Sequence, residues 1–293
     1  MNYKTRYFLL LTVVLWPFAT LLYVIMDSVI AGGNLTGQTG FKRILITAAI
    51  SLALTLFGNL LTFLFNPASK ARANIMAELE NTGLSDSLIR LAEAEVNRLI
   101  STGKVYKYYR PFHQYTTLIA NAYLNRWDIP TALEKLNTLT LNEMQAYLKN
   151  PNDNSLFLGY FDLYMVICEK TNDPDRADNV LQIAAPYLAK AENSITTDKL
   201  LFHEIYCYYH LVHDDIGSAM EHANKCFALG NSENILFIGN ALNSKCCIRA
   251  KNFDKALEYI NRADNVSKKG LFKQIAGSLR YNYEMARAAA ENA

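Results

Sequence analysis

The sequence predicts an all-α protein in which two transmembrane helices are followed by an α-solenoid of stacked helical hairpins. Three observations carry that expectation. Two long runs near the N-terminus, Tyr7 to Met26 and Ile44 to Phe65, hold no charged residue. The chain after Asn66 is rich in charge, and its Ala, Leu and Tyr residues recur at helical spacing. From Phe112 onward the same sequence of events recurs four times: an aromatic-rich helix, a short polar break, and a helix that opens on a small residue.

Composition agrees with an anchored globular protein. A length of 293 residues leaves room for an anchor and a domain with a sizeable core. The net charge of +2 is too small to imply a nucleic-acid partner, and none is expected. Hydrophobic residues make up 51%, and the two uncharged runs account for much of the excess over a soluble chain. The cysteines Cys168, Cys207, Cys226, Cys246 and Cys247 fall on helical segments without a CxxC pair, which reads as free thiols in a reducing compartment.

The anchor is expected over residues 1–66, with helices at 7–26 and 44–65 joined by a short glycine-rich turn at 27–43. Each run is long enough, at about 1.5 Å per residue, to cross a hydrocarbon layer of about 30 Å. Pro17 would kink the first helix. Lys4, Arg6 and the small residues ending at Ala31 also fit a cleaved signal peptide, although the apolar run is longer than such peptides usually have. Lys4, Arg6, Lys70 and Arg72 flank the outer ends of the hairpin, against Lys42 and Arg43 in its turn, which favours a two-pass membrane protein with both termini and the repeat domain cytoplasmic. On the second helix Ser51, Thr55 and Asn59 line one face beside Gly58. Small and hydroxyl-bearing residues let membrane helices approach closely, so this face is a seam against the first helix or against a second copy in a homo-oligomer.

Residues 67–110 are expected to form a juxtamembrane helical pair. Asn66-Pro67 is a cap followed by proline at the first helical position, Asn81-Thr82-Gly83 breaks the helix, and Asp86 to Ser101 restores the period. The run from Lys104 to Arg110 interleaves basic and aromatic residues and reads as a solvated turn before Pro111, with contact to lipid headgroups as the second choice.

Residues 111–270 hold about four hairpins. Their second helices open at Thr131-Ala132-Leu133, Arg176-Ala177, Ser218-Ala219-Met220 and Lys255-Ala256-Leu257. This pattern resembles the tetratricopeptide repeat, in which a buried alanine follows a turn of the type Gly-Asp-Tyr-x-x-Ala. Twelve residues before these alanines stand Ala120, Met165, Cys207 and Ser244, and seven after them stand Leu139, Ala184, Cys226 and Ala263. Successive alanines lie 45, 42 and 37 residues apart, all longer than the 34-residue unit, so a divergent solenoid with lengthened helices and loops is expected. Residues 271–293 would be a capping helix, with Tyr281, Tyr283 and Met285 partly covering the last repeat.

Signatures of catalysis are missing from the sequence. There is no GxxxxGK[ST], GxSxG or HExxH, so phosphate cradles, nucleophile elbows and zinc-protease sites lack their parts. His203, Cys207 and His210 share a helical face at a spacing a metal would accept, but in the repeat register they pack inside a hairpin, and neither a metal nor a cofactor is expected. The expected role is therefore not enzymatic. The resemblance implies a scaffold that binds a peptide or protein partner on the concave face lined by each first helix. There the register places Asn121 and Asn125, then Asp162, Val166 and Lys170, then Glu204 and Tyr208, then Lys245 and Arg249. A segment with basic residues toward its middle and an acidic end, held by Tyr208, would match. The alternative is a peptide-responsive sensor whose superhelix changes shape, and a metal-site enzyme stands third.

Overall fold

The computed structural model describes residues 67–266 and 270–291, together with residues 16, 17, 20, 21, 52, 53 and 55–58. The protein is all-α, and among the described residues there is no strand. Most of both expected spans lies outside the described residues, as do Ser51, Asn59 and the glycine-rich turn; the parts that are described, Thr55 and Gly58 among them, are helical. Among the described residues no helix is long and apolar enough to cross a membrane. The chain divides into two compact units, Met1–Glu78 and Leu79–Ala293, with the division inside helix α1 (Pro67–Thr82).

The second unit continues with α2 (Asp86–Ser101), α3 (Tyr109–Asn125), α4 (Ile129–Asn137), α5 (Leu141–Tyr147), α6 (Asn154–Thr171), α7 (Pro174–Ala191), α8 (Thr196–Val212), α9 (Ile216–Phe227), α10 (Glu233–Arg249), α11 (Phe253–Val266) and α12 (Gly270–Glu291). The helices α3/α4, α6/α7, α8/α9 and α10/α11 form the hairpins, and α2 packs on α3. The first helices stack in chain order, α3 on α6, α6 on α8 and α8 on α10, while α7, α9 and α11 also touch the next first helix. One apolar cluster runs from Leu99 through Phe161, Cys207 and Leu242 and ties successive hairpins into a continuous core.

The same turn closes all four hairpins. Trp127, Asn172, Asp214 and Lys251 each adopt a positive φ, of 62, 51, 56 and 56°. The N–H of the following residue then donates back five residues: Asp128 to Tyr123, Asp173 to Cys168, Asp215 to His210 and Asn252 to Cys247, at 2.8–3.0 Å. That residue also caps the second helix, its side chain accepting from Thr131, Arg176, Ser218 or Lys255. Four residues further on stand Ala132, Ala177, Ala219 and Ala256, all at 0% exposure. The positions twelve before and seven after them are buried as well, including the larger Met165 and Leu139, so the register counted from the sequence marks the helix junctions.

The extra length between the first two hairpins is spent on α5 and a 3-10 turn at Pro151–Asp153. Tyr147 of α5 stacks on Tyr106 at 4.9 Å, and Tyr109 is buried at the start of α3, so the basic and aromatic run after Lys104 packs partly inward instead of forming a wholly solvated turn.

Helix α12 packs on α10 and α11 and also returns to the beginning of the unit. The Gln274 amide accepts from Leu84 N–H at 2.6 Å and donates to the Leu84 carbonyl at 3.4 Å. Ser278 Oγ donates to Asn125 Oδ1 at 3.3 Å. Gly270 has φ +69°, and a Cβ there would strike the Glu80 carbonyl, so only glycine lets the helix start against that backbone. The expected covering role is divided: Tyr283 is buried against the last hairpin, whereas Tyr281 and Met285 are exposed at 60% and 56%.

Candidate ligand-binding face

The side chains expected on the concave face meet across three first helices. Lys245 of α10 lies 3.1 Å from Glu169 Oε2 of α6 and 5.0 Å from the centre of the Tyr208 ring of α8. Asp162 of α6 is pushed up to about 7 by burial, against the opposing pull of Lys245, and Glu204 of α8 is pushed well above the usual carboxylate range by burial and by Asp162. The acidic part of the face is thus a pair of half-buried carboxyls whose surroundings favour the protonated form. Tyr208 is buried, and its phenol is driven upward by burial and by these acids. Its ring forms the floor beneath Lys245, so it is not exposed as an aromatic anchor. Val166 is half-buried against the core.

At the N-terminal end a recess of about 280 Å³ is bordered by Asn121, Thr117 and His113 of α3 and by Asp162 and Gly159 of α6. The His113 ring is 1% exposed, burial pushes it down to about 4, and neither ring nitrogen has a partner among the described residues. Asn125 belongs to a different setting, because its side chain holds α12 through Ser278.

At the other end α12 completes a larger chamber of about 530 Å³. The ends of α6 and α10 contribute Glu169, Lys170, Lys245, Ile248 and Arg249, α8 contributes Leu211, the first hairpin turn contributes Trp127, and α12 contributes Leu279, Tyr281, Asn282 and Met285. Basic residues in the last turn of a helix ordinarily face their own carbonyl ends. Here they reach across. Arg249 Nε donates to Asp214 Oδ1 at 2.7 Å and its Nη2 donates to Asn172 Oδ1 at 3.0 Å. The Lys170 ammonium lies 3.5 Å from the centre of the Trp127 ring. Burial, with the charge of Lys245, holds Lys170 down to about 8.

No protein-family model matches this chain, and no curated protein or solved structure matches it. Its site is therefore read from its own geometry. Three cations face one lining carboxylate, Glu169, between two exposed rings, Trp127 at 52% and Tyr281 at 60%. Those rings are the residues that repeat counting misses. Trp127 stands in the turn, where counting helix positions does not reach, and only its place five residues before Ala132 marks it as unusual, since the repeat favours glycine there.

The histidines are arranged differently from the face expected of them. His203 Nδ1 lies 3.1 Å from His222 Nδ1 on α9, and His210 lies 3.3 Å from Asp215 Oδ2. Cys207 points the other way, to Cys246 on α10. The three residues His203, Cys207 and His210 therefore do not converge on one point. Burial, with His203 and Lys225 adding repulsion, holds His222 down to about 4, which suits a neutral stack with Tyr206 inside the hairpin.

Proposed function

We propose that this chain is a membrane-tethered scaffold whose helical hairpins, tetratricopeptide-like in register, bind a peptide or protein partner near the bilayer. The observation that supports this reading most directly is the shared face on α3, α6, α8 and α10. Along it a polar recess at Asn121, a carboxyl pair at Asp162 and Glu204, and a basic end at Lys245 and Arg249 follow one another in stack order. Graded chemistry along successive repeats suits an extended segment that carries basic groups toward its middle and acidic groups at one end. Tethering comes from the two uncharged runs 7–26 and 44–65, and the basic residues around them favour a cytoplasmic placement of the hairpins. Nothing in the reading calls for a catalytic group, cofactor or metal.

The test places a photo-crosslinking amino acid in the full chain at Asn121 or Thr117 on this face, or at the exposed Asn224 on α9. Crosslinks from Asn121 and Thr117 to one discrete membrane-associated partner, without that adduct from Asn224, are expected. The same adduct from Asn224 alone would overturn the reading.

A further inference from the structure

We propose that the chamber beneath α12 binds a small organic anion, a carboxylate carried on a flat unsaturated ring, at the basic end of the face offered to a protein partner, with which it shares Lys245 and Arg249. Helix α12 crosses the basic end of the face and is held at Leu84 and Asn125, which leaves about 530 Å³, within the range of small-molecule pockets.

Charge selects the anion. Among the three cations only Lys245 is paired with the lining carboxylate, Glu169, and Arg249 is turned to the exposed Asp214 at the rim. Lys170 has no ion pair among the described residues: it rests on the Trp127 indole, which attracts the ammonium without neutralising it, and Glu169 acts on it from a carboxylate already bonded to Lys245. A carboxylate between Lys170 and Arg249 would supply charge to Lys170 and accept from guanidinium N–H groups other than those that Arg249 gives to Asp214 and Asn172. Shape selects the ring. Trp127, Tyr281 and Met285 are exposed large apolar side chains on the lining, a surface that a flat group covers. Burial and Lys245 hold Lys170 down to about 8, so bound anion would draw its proton back and affinity should decline as the pH rises past that value.

The test uses the full chain in detergent with Trp16→Phe, which leaves Trp127 as the one indole of the two in the sequence. The probe is 3-phenylpropionate, with 3-phenylpropionamide and inorganic phosphate as comparators. A saturable change in Trp127 emission is expected with the acid, at least about tenfold tighter than with the amide or phosphate. Lys170→Met and Arg249→Met should each weaken the acid by about tenfold or more, while Lys251→Met, exposed and outside the lining, leaves it unchanged. Equal binding of acid and amide, tighter binding of phosphate, unchanged affinity in both lining variants, or no saturable response to the acid would each overturn the proposal. Crosslinking is read from Asn121, which borders the N-terminal recess and not the chamber, so failure of the anion site and failure of the scaffold reading are distinguishable.

Discussion

Cys207 Sγ of α8 lies 3.8 Å from Cys246 Sγ of α10, with both residues at 0% exposure between successive first helices. Their contact, together with burial, makes the Cys207 thiolate strongly unfavourable, and burial pushes Cys226 up to about 12 and Cys168 up to about 11. All five cysteines are buried, so all should resist alkylation in the native protein and react together once it unfolds. Mass spectrometry after short reagent pulses across a urea series checks this. Fast modification of any of the five without denaturant would contradict the packing described.

The shared turn predicts a stabilising substitution. Lys251 is exposed, sits at φ +56°, and gains nothing from its side chain that offsets the left-handed backbone. Lys251→Gly should stabilise the protein by about 1 kcal/mol, the relief of the left-handed conformation less the added freedom of the unfolded chain. Trp127→Gly, which removes the Lys170 contact as well, should gain less. Thermal melts of both variants decide the matter, and a lower midpoint for Lys251→Gly would count against the turn geometry.

Ala256 is fully buried where α11 meets its neighbours, in a cluster with Cys247, Ile260, Leu279 and Tyr283. Ala256→Leu has no space to enter and should cost about 1–3 kcal/mol by overpacking. The same cluster carries Leu279 and Tyr283 of α12, so amide exchange in α12 should accelerate along with global destabilisation. Unchanged denaturation would mean that the junction tolerates a larger side chain than its burial implies.

Asp162 yields a pH prediction with a definite sign. Its folded value, about 7, exceeds the ordinary 3.8, so between those values the native state holds more protons than the unfolded chain. Stability from this group is therefore lost as the pH rises from about 4 to about 7, with a slope of at most about 1.4 kcal/mol per pH unit for one proton. Asp162→Asn should gain on the wild type across that window. Glu204 acts in the same direction and loses in Asp162→Asn the part of its shift that Asp162 causes, while the depressed His113 and His222 act oppositely and remain in both proteins. Urea melts at several pH values measure the difference, and a constant gap would remove Asp162 as a titrating group.

Much of the second unit was legible because its signals are local. The alanines at 132, 177, 219 and 256 and the Asp or Asn four residues before each of them mark every hairpin turn, since a Schellman closure and an N-cap depend on a few adjacent residues. Counting positions along each first helix also brought Asp162, Glu204, Lys245 and Arg249 to one face, because the helical period fixes which side chains share a side. The same counting misjudged Tyr208, which is buried in the core that successive hairpins share, beneath Lys245 of another helix. It also gave no warning of α5, where the surplus between two hairpins folds into a helix of its own.

The sequence by itself determined that the chain is helical, where its hairpins turn and which small residues lie at their junctions, because these follow from the period of the helix and the chemistry of caps. Only the tertiary structure decided that α12 returns to Leu84 and Asn125, residues separated from Gln274 and Ser278 by 190 and 153 positions. That meeting depends on how four hairpins stack between the two ends of the unit, which no single turn encodes. It is also what brings Trp127 of the first turn and Tyr281 of the last helix to the lining of one basic chamber.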